Sequence, residues 1–176
     1  MSDTTGESAP VDFASIVNQN IDGLYNFAAY MVSDKEEAKD IVQTTFFAMF
    51  KNFSKLDQSK PLKPWLYKVA RNNCLDYLRK KKALNFSELK DELEVPETDP
   101  LLEEQMNSSL AIDQFRTQLD SLPTVVKEIM LLKYFEDFTF EQISEQLDTP
   151  LNTVKSHFYR GKAKLYQITK DQHGHN

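Results

Sequence analysis

Pro64-Trp65-Leu66-Tyr67-Lys68-Val69-Ala70-Arg71-Asn72-Asn73-Cys74-Leu75-Asp76-Tyr77-Leu78-Arg79-Lys80-Lys81-Lys82 is the stretch on which the fold turns. Wound as an α-helix, it places Leu66, Val69, Ala70, Cys74 and Tyr77 on one side, a face that asks to be buried. Pro64 suits the first turn, where its missing N–H leaves no bond unmade. Lys68, Asn72 and Arg79 fall on the opposite side, flanked by Arg71 and Asp76, and the run from Arg79 to Lys82 favours the negative end of the helix dipole. Cations, an amide and a neighbouring aromatic suit nucleic acid better than a small substrate. A basic amphipathic helix also occurs as a plain solvated surface helix, so this segment alone leaves both readings open.

The charge distribution outside the segment separates them. The net charge of −6 argues, as an average, against a nucleic-acid binder. The charges are segregated, however. From Lys55 to Lys82 only Asp57 and Asp76 oppose nine Lys and Arg residues, and from Leu151 to Lys170 there is no acid. Between Glu88 and Glu104 the sign reverses, with Lys90 the only base. Two basic blocks thus flank an acidic one. With four glycines in 176 residues and little strand-like alternation, the chain is expected to be all-α, with room for two small domains. Cys74 is the only cysteine, which excludes an intrachain disulfide, and its place on the apolar face predicts a core residue. No secretory signal or membrane-length apolar run is present, so a soluble, cytoplasmic protein without membrane insertion is expected.

Working outward, residues 1–10 are small and polar, a disordered lead-in. Residues 11–82 form the first domain. Phe13, Ile16, Val17, Ile21, Leu24, Tyr25, Phe27, Ala28 and Met31 recur at helical spacing, as one helix or a pair broken near Gly23. Ser33 with Glu36 is a capping-box pattern that starts a second helix, running to Phe53 with an acidic first part. Ser54 to Lys63 reads as a loop. Residues 83–109, acidic and containing Pro96 and Pro100, read as a flexible linker, and 110–170 as a second, four-helix domain before a tail, 171–176.

In that second domain Leu110, Ile112, Phe115, Leu119 and Leu122 make a stripe ended by Pro123, and Val125 to Phe135 is a strongly apolar helix. Thr139 is placed to cap Phe140 to Leu147. Asp148-Thr149-Pro150-Leu151 breaks the chain, and Asn152 is placed to cap a last helix carrying Val154, Phe158, Leu165 and Ile168 inward. Two short helices about such a turn, the second basic, make a helix-turn-helix, with Asp148 at the position that favours left-handed backbone. Thr153, Lys155, Ser156, Tyr159 and Arg160 fall on the outer side of the second helix. Lys155 and Arg160 suit guanine edges or phosphate, while Lys162, Lys164 and Lys170 suit phosphate. A helical hairpin with a solvated basic face is the competing reading, and the agreement of cap, turn, spacing and charge opposes it.

These stretches resemble the bacterial extracytoplasmic-function (group 4) sigma factors of RNA polymerase. Lys39-Asp40-Ile41-Val42-Gln43-Thr44-Thr45-Phe46-Phe47 is similar to the family's polymerase-clamp-binding helix. Pro64 to Asn72 with Asp76 to Arg79 resembles its minus-ten recognition regions, and Leu122-Pro123, Leu131 to Phe135, Ile143 and Thr153 to Ser156 resemble region 4. The resemblance implies that Asp40, Gln43, Phe46 and Phe47 dock on the clamp helices of core polymerase, with a further contact to its flap. It implies that Lys55, Lys60, Lys63, Trp65, Lys68, Arg71, Asn72 and Arg79 engage the melted non-template strand at the minus-ten element. Asn72 and the loop before it would capture a flipped base. Thr153, Lys155, Ser156, Tyr159, Arg160 and Lys162 would bind duplex promoter DNA at the minus-thirty-five element, the acidic linker would thread the polymerase cleft, and an anti-sigma partner would restrain the protein. Thr44, Asn73, Asn152, His157 and Gly161 depart from residues common in the family.

Two other functions fit parts of the pattern. A stand-alone helix-turn-helix regulator would have no use for the helix from Asp40 to Phe47. A sigma mimic that only sequesters a partner would have no use for the basic faces. An enzyme is not expected, because no nucleophile–base pair or phosphate-cradling glycine loop is present. No cofactor or metal is expected either, and His173 and His175 read as tail.

Overall fold

The computed structural model describes residues 12–84 and 118–173, and every regular element among them is helical. Residues 1–10, most of the acidic linker, and the predicted stripe residues Leu110, Ile112 and Phe115 lie outside the described residues. No described helix is long and apolar enough to cross a membrane.

The first unit is three helices. α1 (Phe13–Val32) is continuous through Gly23, so the break allowed there does not occur. α2 (Lys35–Asn52) begins one residue away from the expected cap. Asp34, not Ser33, is its N-cap, accepting from the N–H groups of Glu36 at 3.0 Å and Glu37 at 3.1 Å. Ser33 instead closes α1 with left-handed backbone, φ 53°, and its N–H returns to the Ala29 carbonyl at 3.0 Å. Two adjacent residues of capping type allowed either assignment, and the tight corner between helices decided it. The N–H of Glu37 holds the Asp34 carboxyl below its ordinary value, with Glu36 adding to it, so the cap is intact at neutral pH and is lost as pH falls through the carboxylate range. A 3₁₀ turn, Phe53–Lys55, follows α2 where a longer helix was expected, and α3 (Lys63–Leu84) starts inside the expected loop.

The segment from Pro64 to Lys82 is helical throughout. Leu66, Ala70 and Cys74 are fully buried against Leu24, Phe27, Ala28, Ile41 and Met49 of α1 and α2. Burial contributes roughly 2 kcal/mol for a large apolar side chain such as Leu66 or Phe27. It also pushes the Cys74 thiol up to about 12, which keeps it protonated and unreactive. Asn73 interrupts this face, and its amide nitrogen is buried without a hydrogen-bond partner among the described residues.

In the second unit a 3₁₀ turn (Leu119–Ser121) and Pro123 lead into α4 (Thr124–Tyr134), one residue ahead of the expected bounds. α5 (Phe140–Leu147) carries the full capping box: Thr139 Oγ1 accepts from the Gln142 N–H at 3.1 Å, and Gln142 accepts from the Thr139 N–H at 2.8 Å. A Thr139→Ala chain should lose about 1 kcal/mol of stability, read by urea denaturation. Asp148 ends α5 in left-handed backbone, φ 50°, as expected of it. α6 (Leu151–His173) then runs back across α4 and α5 and continues into the predicted tail. Asn152 lies within its first turn rather than at its cap, since the Val154 N–H already bonds the Pro150 carbonyl at 3.0 Å. Gly161 lets α6 approach α4 closely, for a Cβ there would stand 2.6 Å from Val126 Cγ1.

Candidate nucleic-acid and polymerase interface

Three surfaces hold the residues singled out from the sequence. On α2, Asp40 and Gln43 are exposed and Phe47 is 56 % exposed, while Phe46 is half-buried against the core. Phe50, 66 % exposed, extends the stripe 40, 43, 47, 50 along one side of the helix and was missed. Its three-residue offset from Phe47 was the available signal. Lys51 stands 4.5 Å over the Phe47 ring and Phe13 meets Phe50 edge-on at 5.8 Å, so both exposed rings are held in place. Two exposed aromatic rings between polar residues have the composition of a docking site for another protein.

On α3 and the preceding loop, the candidate residues divide. Lys55, Lys60, Lys68, Asn72 and Arg79 are exposed. Lys60 and Arg79 make only surface ion pairs, with Asp57 at 3.6 Å and Asp76 at 3.0 Å, which screening leaves weak and exchangeable. Trp65 is half-buried against the core. Lys63 and Arg71 turn towards the second unit instead. Arg71 pairs with Glu128 of α4, whose carboxylate is 1 % exposed. Burial raises the Glu128 carboxyl above its ordinary value, against the opposing pull of Arg71. Lys63 donates to the Glu136 carbonyl at 2.8 Å and stands 3.3 Å from its carboxylate.

Tyr67 was not assigned to a buried face from the sequence, yet it is 1 % exposed. Its ring packs edge-on to Phe27 of α1 and Phe138 beyond α4, each at 5.4 Å, and its hydroxyl donates to the Glu136 carboxylate. Burial, then the Glu136 carboxylate, pushes its phenol strongly upward. Glu128 and Glu136 were also missed. Glu128 had a signal, as an acid within an otherwise apolar helix, because an acid in such a place needs a partner.

On α6, Thr153, Ser156, Tyr159 and Arg160 are exposed, together with Asn152, which the sequence had used as a cap. Lys155 is half-buried on the flank with its ammonium 5.9 Å over the Phe140 ring, and Lys162 is also half-buried. His157 beside them is held below its ordinary value by burial and then by Arg160, which keeps it neutral at pH 7. The first three turns of α6 therefore present hydroxyls, an amide, a tyrosine and a guanidinium, side-chain types able to read base edges in a major groove.

Comparison with known proteins agrees with this division of the chain. Residues 16–84 match sigma-70 region 2 and residues 112–165 match sigma-70 region 4. The chain is 29% identical over 171 residues to the ECF RNA polymerase sigma factor SigW of Bacillus subtilis, covering 90% of this chain and 89% of that protein. It is 28% identical over 165 residues to the ECF RNA polymerase sigma factor SigE of Mycolicibacterium smegmatis, covering 93% of this chain but only 64% of that longer protein. Among solved structures, the fold is similar to that of the sigma factor RpoE from Bartonella quintana, determined in complex with the anti-sigma factor NepR, with TM-score 0.70, 21% identity, and coverage of 90% of this chain and 97% of that one. It is also similar to CnrH in complex with the cytosolic domain of CnrY, with TM-score 0.66, 19% identity and coverage of 90% and 88%. Two helical units, a basic helix in the first, a helix-turn-helix in the second and two matching sigma regions in that order place the chain in one family: it belongs to the sigma-70 family of RNA polymerase sigma factors, in the extracytoplasmic-function group.

Proposed function

We propose that this sigma factor binds core RNA polymerase through the α2 stripe, recognises duplex minus-thirty-five DNA with the start of α6, and holds the melted minus-ten strand on α3. Asp40, Gln43, Phe47 and Phe50 dock on the polymerase clamp, and the second unit contacts the flap. Lys55, Lys60, Lys68 and Arg79 hold the strand backbone, joined by Lys63 and Arg71 once these are released, with Trp65 supporting the loop. Asn72 takes the base edge. The observation that carries this reading is the exposure of Asn72 amid cations on the outer side of a helix whose other side is buried core. Unstacking a base costs a few kcal/mol, and an amide that both donates and accepts recovers part of this when a flipped base enters.

An anti-sigma protein restrains the chain in this proposal, because the sigma factor RpoE, of similar fold, was determined in complex with the anti-sigma factor NepR. The test is Asn72→Ala. Promoter opening, followed by permanganate reactivity of the minus-ten thymines, should fall about tenfold, as expected for the loss of roughly 1.4 kcal/mol of base contact. Core binding should be unchanged. A parallel loss of core binding would make Asn72 a structural residue.

A further inference from the structure

The outer face of α6 carries Thr153, Ser156, Tyr159 and Arg160, and its opposite face, with Val154, Phe158, Gly161 and Leu165, is buried. Glycine inside a helix is a weaker choice than alanine, so its place on this face needs a reason in packing. Distance supplies it. A Cβ at position 161 would stand 2.6 Å from Val126 Cγ1 of α4 and 3.3 Å from Met130 Sδ. Carbon atoms in contact settle about 3.5 to 4.0 Å apart. Met130 is flexible enough to bend away, whereas Val126 is buried, β-branched and held to one strongly preferred rotamer in its helix. A side chain at position 161 would therefore open the gap between α6 and α4 by roughly 1 Å. The start of α6 is tied to α5 by the turn between them. Ser144 Oγ donates to the Thr149 carbonyl at 2.6 Å, and the Thr149 N–H donates to the Ser144 carbonyl at 3.0 Å. An opening at position 161 then tilts α6 about that turn, and Tyr159 and Arg160, beside the glycine, move farther than Thr153.

We propose that Gly161 is a positioning residue for minus-thirty-five recognition: by letting α6 lie against Val126, it sets the angle at which Tyr159 and Arg160 enter the major groove. The inference rests on the proposed base-reading role of α6. It assigns part of the specificity to a buried residue on the face of α6 opposite the proposed DNA contacts. Such contacts need their groups held within about 0.5 Å of the productive geometry. An opening of roughly 1 Å is thus enough to lose a bidentate base contact, while phosphate contacts, which carry no sequence information, tolerate it better.

The test uses full-length chains assembled with core polymerase. Transcription is measured from a set of minus-thirty-five variants, and from a template with a pre-opened minus-ten bubble and no minus-thirty-five element. Gly161→Ala should lose about tenfold on the responsive promoter and discriminate less among the variants, with no change on the bubble template. Val126→Ile enlarges the other partner of the contact and keeps the glycine. It should act in the same direction, and it carries the test if Gly161→Ala does not fold. Gly161→Ala combined with Val126→Ala gives the new methyl room and should restore the wild-type pattern. Thr139→Ala, destabilised at the cap of α5, is the control and should keep that pattern. Wild-type discrimination in the folded Gly161→Ala and Val126→Ile chains would overturn the inference. So would discrimination that follows thermal stability across all four chains, which would make Gly161 a packing residue only. A wild-type chain that does not discriminate among the variants would instead overturn the base-reading role of α6, and this inference with it.

Discussion

An Arg160→Ala chain is expected to lose about tenfold to hundredfold in transcription from a promoter that depends on its minus-thirty-five element. Arg160 is exposed on the outer face of α6, in line with Thr153 and Ser156. A bidentate guanidinium contact to a guanine edge is worth about 1 to 3 kcal/mol of discrimination against other bases. The loss should therefore be specific, with the variant responding far less to substitutions within the element. Lys155→Ala provides the contrast. Its ammonium lies over Phe140 on the flank of the helix, a position suited to phosphate. Its loss should weaken binding evenly across promoter sequences and flatten the salt dependence by about one unit of slope. Equal sequence selectivity in wild type and Arg160→Ala, measured by transcription from a set of minus-thirty-five variants, would remove Arg160 from base recognition.

The second large effect is expected on α2. Phe47→Ala with Phe50→Ala should weaken core polymerase binding by about 2 to 4 kcal/mol, the range for truncating aromatic anchors at a protein interface. Both rings are more than half exposed, so the variant should fold normally and keep its helical content. Phe46→Ala would be a poor probe of the same surface, because Phe46 is half-buried against the core and its loss would lower stability as well. Affinity for core, measured by fluorescence anisotropy with the labelled chain, separates the two effects. Undiminished core affinity in the double variant would move the docking surface away from this stripe.

Much of the first and second helical units was legible because local signals agreed. The apolar spacing of α3, the Thr139 capping box and the left-handed position at Asp148 each reflect residues within one or two turns of each other. Errors arose where two local solutions competed. Ser33 and Asp34 both suit a cap, and a sequence does not show that the backbone reverses sharply between them. The residues missed altogether depend on partners distant in the chain. Tyr67 and Glu136 are 69 positions apart, and Arg71 and Glu128 are 57. No periodicity reports such a pairing, so α3 read as having one buried face and one free face. It has a third, turned towards region 4. The helix that decided the fold therefore presents its exposed amide to solvent while two of its cations are already engaged.

Whether the chain directs core polymerase to promoters is measured by run-off transcription with purified core polymerase. Core alone should give no discrete product from a responsive promoter. Added chain should assemble with core and yield a transcript of defined length, and the Asn72→Ala chain should assemble equally well but yield about tenfold less. A chain that binds duplex DNA by itself yet forms no complex with core polymerase, and supports no transcript, would contradict the account.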